Sequence, residues 1–408
     1  MQCEVFPFRV KLRNPLTVKQ ASLRFRDGYL ISLTSDDITG WGEASPLPAW
    51  SRVGISEVGE ELRRAKEKIN SSDFRGFDEG INGLVHTSYG HAGLTGAWAD
   101  MQAQQSARPL VDDLLHRQGL QSVSIENSAK HEHESDSTAP VSATVSASIE
   151  NSTKHEAGRD VFDDSKSARV VRVNALISAV ELSEVEKQAD AAVNAGFDTV
   201  KLKVGFKAPD IDVQRAKVAR SALGVKPELR LDANQSWQSD TAVYVLSNVQ
   251  SCNISFCEDP VSTVPCGMSA IAEVEKASGV RTAVDESIRS VADVEAAVAA
   301  GVRMIVVKPQ ALGGPEKALK IIKRAYNAGA DVVVTSFMDT AIGVTHAFHI
   351  AAAADQLARY SGMSLLAHGI ATGSLIVGDL ASSLPVESGF IRVPSVVGLG
   401  VVAHEPVG

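Results

Sequence analysis

Five short apolar runs, each closing on a charged residue, recur through the middle of this chain: TVKLK (199–203), ELRLD (228–232), ISFCE (254–258), VRTAVD (280–285) and RMIVVK (303–308). Their last residues are Lys203, Asp232, Glu258, Asp285 and Lys308, which subtraction places 29, 26, 27 and 23 positions apart. That interval suits a strand, a returning helix and their two loops, repeated. Such repetition commits the stretch to parallel strands with helices outside. It also puts two lysines and three carboxylates at the carboxyl ends of neighbouring strands, and in a closed parallel barrel that rim carries the chemistry.

The same pattern extends to both sides. VVRVNALI (170–177) reads as a strand, and 183–195 as a helix stopped by Gly196. Helical spacing recurs at 210–223, 240–248, 291–300 and 317–328, the last stopped by Gly329. DVVVTS (331–336) is another strand, 345–354 a helix and 363–366 a weaker final strand. The sum is seven or eight strand–helix units beginning after residue 169, an α/β barrel of the TIM type.

Residues 1–120 differ. Alternating segments at 5–12 and 29–35 flank Asp27-Gly28, a turn dipeptide, and helices follow at 55–69 and 91–106, the second rich in small residues. Strands followed by helices describe a separate α+β domain. Between them lies GWGEASPLPAWS (40–51), dense in Gly, Pro and aromatics. From 382 to 408 the chain is expected to return to this first domain, using Ile391-Arg392-Val393 and GLGVV. Residues 121–168 have almost no large apolar side chains, and SIENSAKHE (124–132) recurs as SIENSTKHE (148–156). Such a segment cannot bury enough area to offset its ordering, so it reads as a disordered insertion carrying a local duplication. His131, His133 and His155 within it read as solvated loop residues rather than metal ligands.

Composition excludes some partners. A net charge of −9 offers no basic excess for a nucleic acid. Cys3, Cys252, Cys257 and Cys266 match no paired CxxC zinc spacing, and Cys257 inside an apolar strand reads as a buried free thiol. No signal-peptide pattern and no run of eighteen apolar residues occurs, so a cytoplasmic protein without a membrane partner is the expectation.

Strand parity turns the charged ends into a site. Alternate residues face opposite sides, so Val200, Leu202 and Val204 pack under the helices while Lys201 and Lys203 point inward. The same rule sets Asp232 with Arg230, Glu258 with Phe256, Asp285 with Ala283 and Lys308 with Val306. Inward charges need partners, since uncompensated burial costs several kcal/mol. A purely structural ring of salt bridges would satisfy that need. Three carboxylates on adjacent strands also make an all-oxygen cluster suited to Mg²⁺, with Mn²⁺ as a substitute. Lysines on either side can exchange a proton with a carboxylate substrate held there. A cation on that carboxylate stabilises an enediolate more than the ground state. Lysine acts as the base only when neutral, a form favoured by neighbouring positive charge.

The segments KLK (201–203), LDANQSW (231–237), CEDP (257–260), VDES (284–287) and VVKP (306–309) resemble the enolase superfamily, in its muconate-lactonizing subgroup. The resemblance implies a (β/α)₇β barrel with an α+β capping domain. It implies Asp232, Glu258 and Asp285 as metal ligands, with Lys203 and Lys308 facing each other across the substrate. GWGEASPLPAWS (40–51), TSFMDTAIGVTHAFHIAAA (335–353) and AHGIATGSLIVGDL (367–380) resemble the o-succinylbenzoate synthase family. That implies dehydration of a succinyl-hydroxycyclohexadiene carboxylate in menaquinone biosynthesis. Lys203 would be base and then general acid, and Lys308 a stabilising cation. Residues 46–54 are expected to close over the site, with Ala49 where the family pattern implies Gly. Lys201, Asn234 and Ser336 lie near the rim as candidates for substrate binding. Racemases and epimerases of N-acylamino acids or dipeptides, and lactonising cycloisomerases, share the five charged residues. A barrel used only as a binding scaffold is disfavoured by the intact Lys203 and Lys308. Deletion of 124–156 is expected to leave turnover largely intact; an unfolded circular dichroism spectrum for that variant would show the insertion to be structural.

Overall fold

The computed structural model describes residues 1–18, 21–48, 50–74, 76–77, 81–119 and 169–404. The 121–168 insertion, with its three histidines, and Ala49 lie outside the described residues. The chain opens with an antiparallel sheet of β1 (Gln2–Val18), β2 (Ala21–Ser35) and β3 (Ile38–Ala44). Asp27-Gly28 is not a turn. Both residues sit mid-strand in β2, where Asp27 pairs with Arg9 and Gly28 with Phe8. The glycine is there for space, because a Cβ would stand 2.4 Å from the Phe8 ring. Asp27 accepts from Arg9 Nε across the pair at 2.6 Å, which suits an exposed strand face.

Helix α1 (Ile55–Ile69) buries Val58, Leu62, Ala65 and Ile69 on one stripe. Helix α2 (Ser88–Gln105) is buried along most of its length and lies directly on β3. A Cβ at Gly42 would come within 2.0 Å of the Gly93 carbonyl oxygen, so only glycine permits this approach. The small residues of α2 thus serve close helix–sheet packing. Helix α3 (Leu110–Arg117), which carries no strong sequence signal, completes this part of the chain.

The barrel follows. VVRVNALI divides into β4 (Val170–Arg172) and β5 (Ala175–Ile177), and α4 (Leu182–Asn194) returns from it. Then come β6 (Thr199–Lys203), α5 (Pro209–Leu223), β7 (Glu228–Asp232), α6 (Ser239–Asn248), β8 (Ile254–Glu258), α7 (Ser269–Ser278) and β9 (Thr282–Ala283). Helix α8 (Val291–Ala300), β10 (Met304–Val307), a short α9 (Pro309–Leu312), α10 (Pro315–Asn327), β11 (Asp331–Val334) and α11 (Ala341–Ser361) complete the series. Strands β5 to β9 pair in parallel order, and β10 pairs with β11. Single bridges Val284 to Ile305, Thr335 to Gly369 and Val173 to His368 close the circle. The final strand expected at 363–366 is absent. Its place is taken by His368 and Gly369, whose bridges reach both neighbours without a regular ladder. Helix α11 runs beyond the expected 345–354 because its apolar surface is buried nearly all round.

Parity holds in three dimensions. Val200, Leu202 and Val204 join the shell between strands and helices, each worth about 1.5–3 kcal/mol when fully buried. Phe256, Ala283, Met304, Val306 and Val333 form a separate cluster that fills the barrel interior. Arg230 lies over the Phe256 ring at 4.8 Å and donates Nη1 to the Ala367 carbonyl.

The last stretch ties the two parts together. β12 (Ile376–Val377) adds to the first sheet beside β1, ahead of the return expected at 382. β13 (Val386–Glu387) pairs with β14 (Phe390–Arg392), which pairs antiparallel with β4; Ile391 and Arg392 therefore bind the start of the barrel and not the first domain. The next residues do reach the first domain, where Leu110 N donates to the Gly398 carbonyl and Leu399 N to Asp100.

His349 on α11 sits at this junction. Its Nδ1 accepts from Val111 N and its Nε2 faces the Leu399 carbonyl at 2.9 Å. With Nδ1 accepting, Nε2 must carry the only proton, and a second proton on Nδ1 would face the Val111 N–H. Burial lowers its pKa to about 3. The unfolded chain takes up that proton below about 6.5 while the folded chain does not. The stabilisation is therefore complete above 6.5 and lost as pH falls toward 3, at a slope approaching about 1.4 kcal/mol per pH unit. Urea unfolding from pH 7 to 4 should show a shallower loss for His349→Leu than for the native chain, despite its lower stability at pH 7. Equal slopes would remove His349 from the acid response.

Candidate active site

Strand parity aims Lys201 and Lys203 of β6 into the barrel mouth, with Asp232 closing β7 and Glu258 closing β8. Strands β9 and β10 end early, so Asp285 and Lys308 stand just beyond their ladders. Lys203 Nζ donates to Asp232 Oδ2 at 2.6 Å and to Asn234 Oδ1 at 2.9 Å. Lys201 Nζ lies 3.1 Å from both Glu258 Oε2 and Asp232 Oδ2. Lys308 Nζ donates to Asp285 Oδ2. Three ammoniums thus interleave with three carboxylates. Lys203 is the most open of the six, with 21% of its side chain exposed.

The fields within this set are uneven. Burial alone would raise the Asp232 carboxyl, but Lys203 and Lys201 outweigh it and hold the group below its ordinary value. Glu258 has only one near lysine; burial and then the Asp232 charge push it up to about 8. Burial also raises Asp285 against the pull of Lys308. Burial alone would favour neutral Lys201 and Lys308, yet the facing carboxylates keep both ammoniums above their ordinary value. Lys201 and Glu258 therefore pull in opposite senses. Lys201 keeps its charge because it also leans on Asp232, and Glu258 is left as the least compensated carboxyl of the three.

Glu258 Oε1 and Asp285 Oδ1 are buried with no hydrogen-bond donor. Such orphaned carboxylate oxygens on adjacent strands, with Asp232 beside them, form a hard donor set that fits a divalent cation. Among the described residues no three His, Cys, Asp or Glu side chains already converge on one point, since each carboxylate leans toward a lysine. Drawing the three onto one ion therefore requires the ammoniums to yield.

The roof comes from the first domain. In the loop after β3, Leu47 N donates to Ser51 Oγ, which donates in turn to Tyr89 OH at 2.7 Å. This brings the Trp50 ring over the mouth, its centroid 4.0 Å from Lys308 Nζ and 5.8 Å from Lys203 Nζ. Phe337, following β11, meets Trp50 edge-on and lies 5.1 Å from Lys308 Nζ. Aromatic faces hold the ammoniums without competing for their protons.

The root of that loop is bolted to the barrel by buried polar groups. Arg26 donates to the carbonyls of Ser45, Pro46 and Met338. Ser45 N donates to Gln310, two residues past Lys308, and Ser45 Oγ donates to Glu43. Glu43 also accepts from Thr340 N, Thr340 Oγ1 and Gly343 N, so a first-domain carboxylate caps the N-terminus of α11. Burial, then the Glu43 charge, raise nearby Asp339 to about 7.

Of the residues singled out in the sequence, Lys203, Lys308, Asp232, Glu258, Asp285 and Lys201 are brought together. Asn234 touches Lys203, and its own N–H donates to Asp232 Oδ1. Ser336 faces Thr372 at 2.9 Å, and no hydrogen bond joins its side chain to the charged set. Trp50, Phe337, Arg26 and Gln310 were not found from sequence. Two of them lie in stretches that carried a signal, Trp50 in the aromatic-rich loop 40–51 and Phe337 in the family-like segment 335–353. Cys257 is a buried free thiol, as its place in β8 implied. No helix among the described residues is long and apolar enough to cross a membrane.

A parallel barrel with carboxylates and lysines at its mouth, roofed by a separate α+β part, defines a class of enzymes acting on carbon acids. The chain belongs to that class, the enolase superfamily: residues 184–407 match the family described as Enolase C-terminal domain-like. Residues 1–77 match MenC, N-terminal domain. An o-succinylbenzoate synthase from Thermobifida fusca is 35% identical over 201 residues, 48% of this chain and 60% of that protein. D-Ala-D/L-Ala epimerase from Cytophaga hutchinsonii is 28% identical over 240 residues, 59% of this chain and 63% of that protein. The chain thus spans about three fifths of these relatives. The solved structure of a dipeptide epimerase from Cytophaga hutchinsonii, complexed with Mg and the dipeptide D-Ala-L-Val, superposes with a TM-score of 0.78 at 21% identity. It covers 100% of this chain and 96% of that one.

Proposed function

We propose that the chain is an o-succinylbenzoate synthase, which dehydrates 2-succinyl-6-hydroxy-2,4-cyclohexadiene-1-carboxylate to 2-succinylbenzoate in menaquinone biosynthesis. The match of residues 1–77 to MenC, N-terminal domain carries the choice of reaction. The lysine and carboxylate set by itself suits several carbon acids. Asp232, Glu258 and Asp285 would hold Mg²⁺, which supplies charge stabilisation at the substrate carboxylate.

The remaining work falls to the chain's own groups. Lys203, the most open of the three lysines, takes the proton alpha to the carboxylate. It then returns a proton to the departing hydroxyl, so that hydrogen and hydroxide leave as one water and the ring becomes aromatic. Lys308, kept cationic by Asp285 and Glu258, faces the negative charge that develops on the substrate. Trp50 and Phe337 cover the mouth and keep bulk water from that charge.

Lys203→Ala should lower turnover of the cyclohexadiene substrate by about 100-fold or more, the usual range for a general acid or base. Near-normal turnover would remove Lys203 from the role. Treatment with EDTA should abolish activity and added Mg²⁺ or Mn²⁺ restore it; turnover in metal-free buffer would dismiss the ligand trio.

The likeness to dipeptide epimerases supports a second reading, in which Lys203 and Lys308 act as opposed bases on an N-acylamino acid or dipeptide. Incubation with such substrates in D₂O separates the two. Efficient alpha-deuteration without dehydration of the cyclohexadiene would favour epimerisation.

A further inference from the structure

We propose that Asp259 is a positioning residue for the cation, holding the turn that carries Asp285; this rests on the reading of Asp232, Glu258 and Asp285 as its ligands. The reason lies in how the sheet ends. The β8–β9 ladder stops at Glu258 opposite Ala283, and Asp259 N donates to the Ala283 carbonyl. The ladder's next acceptor would be the Asp259 carbonyl, receiving the Asp285 amide. Asp259 instead takes a left-handed conformation, φ +42°, and its carbonyl accepts from Gln235 N at 2.8 Å.

The side chain supplies what the main chain has given up. Asp259 Oδ1 accepts from Asp285 N at 3.0 Å, and Oδ2 accepts from Glu286 N at 2.9 Å. Oδ2 also accepts from Gln235 Nε2 at 3.0 Å. One fully buried carboxylate therefore joins the turns that follow β7, β8 and β9, the three strands that present Asp232, Glu258 and Asp285. Strand β9 is two residues long, and the bridge of Val284 to Ile305 beyond it stops one residue short of Asp285. Asp259 forms no hydrogen bond or ion pair with Lys201, Lys203 or Lys308 and acts through the backbone of Asp285.

Asn has the shape of Asp but only one accepting atom in its amide, so Asp259→Asn leaves an N–H facing a donor. Glu keeps the charge and both acceptors while lengthening the arm by one methylene. Mn²⁺ binding to the full chain, followed by the loss of free-ion signal in electron paramagnetic resonance, should weaken about 10- to 100-fold for Asp259→Asn, as for other groups that orient ligands. Asp259→Glu should weaken it as well. The Mg²⁺ needed for half-maximal activity should rise in step, with kcat recovering at saturating Mg²⁺.

If the native chain does not bind Mn²⁺, the ligand reading fails and takes this proposal with it. If the native chain binds and both variants bind equally well, the positioning role alone is overturned. Weakening in the Asn variant but not the Glu variant would assign the effect to charge and overturn positioning. Should Asp259→Asn not fold, the Glu variant decides the matter alone.

Discussion

The alternation of three lysines with three carboxylates at the barrel mouth is the constraint on which the rest of this structure depends. Six ionisable groups are mostly or fully buried here, and a charge on any one standing alone would be prohibitive. Interleaved, they offset one another, and each ammonium has an oxygen within bonding distance. The cancellation is uneven, and the unevenness is chemically informative. Asp232 lies between Lys201 and Lys203 and is strongly held as an anion, whereas Glu258 and Asp285 each keep an oxygen without a donor. The arrangement is stable as an ion-pair network while leaving acceptor capacity for something else.

The first domain contributes to the cover of that network through Trp50. Arg26 and Glu43 reach from the antiparallel sheet to the loop after β11 and to the start of α11, fixing the root of the loop that bears Trp50. Buried polar bonds of this kind specify one geometry, because every alternative leaves a donor or acceptor unpaired. Gln310 joins the same network two residues beyond Lys308, so the placement of the roof and of a site lysine share one set of bonds.

This division separates what a superfamily shares from what a member does. Barrel strands present groups suited to removing a proton next to a carboxylate, whatever the remainder of the substrate. Trp50 in the cover comes from a different part of the chain, and there the match to MenC, N-terminal domain lies. The epimerase likeness spans both parts in fold but at 21% identity in sequence. Fold alone does not choose among reactions that begin with the same proton removal.

By itself the sequence determined the strands β6, β7 and β8 to the residue, and with them the inward set of Lys201, Lys203, Asp232 and Glu258. A period of two leaves no freedom once one face must be apolar. It also determined the helices α1 and α8, whose apolar spacing and flanking glycines are local. The tertiary structure decided what depends on residues distant in the chain. Asp27-Gly28 reads as a turn but lies mid-strand, paired with Arg9 and Phe8, and the glycine leaves room for the Phe8 ring. The eighth position of the barrel shrank to two bridges, since His368 and Gly369 need only reach Val173 and Thr335 to close it. Trp50 over Lys308 and Asp259 beneath Asp285 are likewise contacts of folding. No period or propensity marks them, because their partners lie on other elements of the chain.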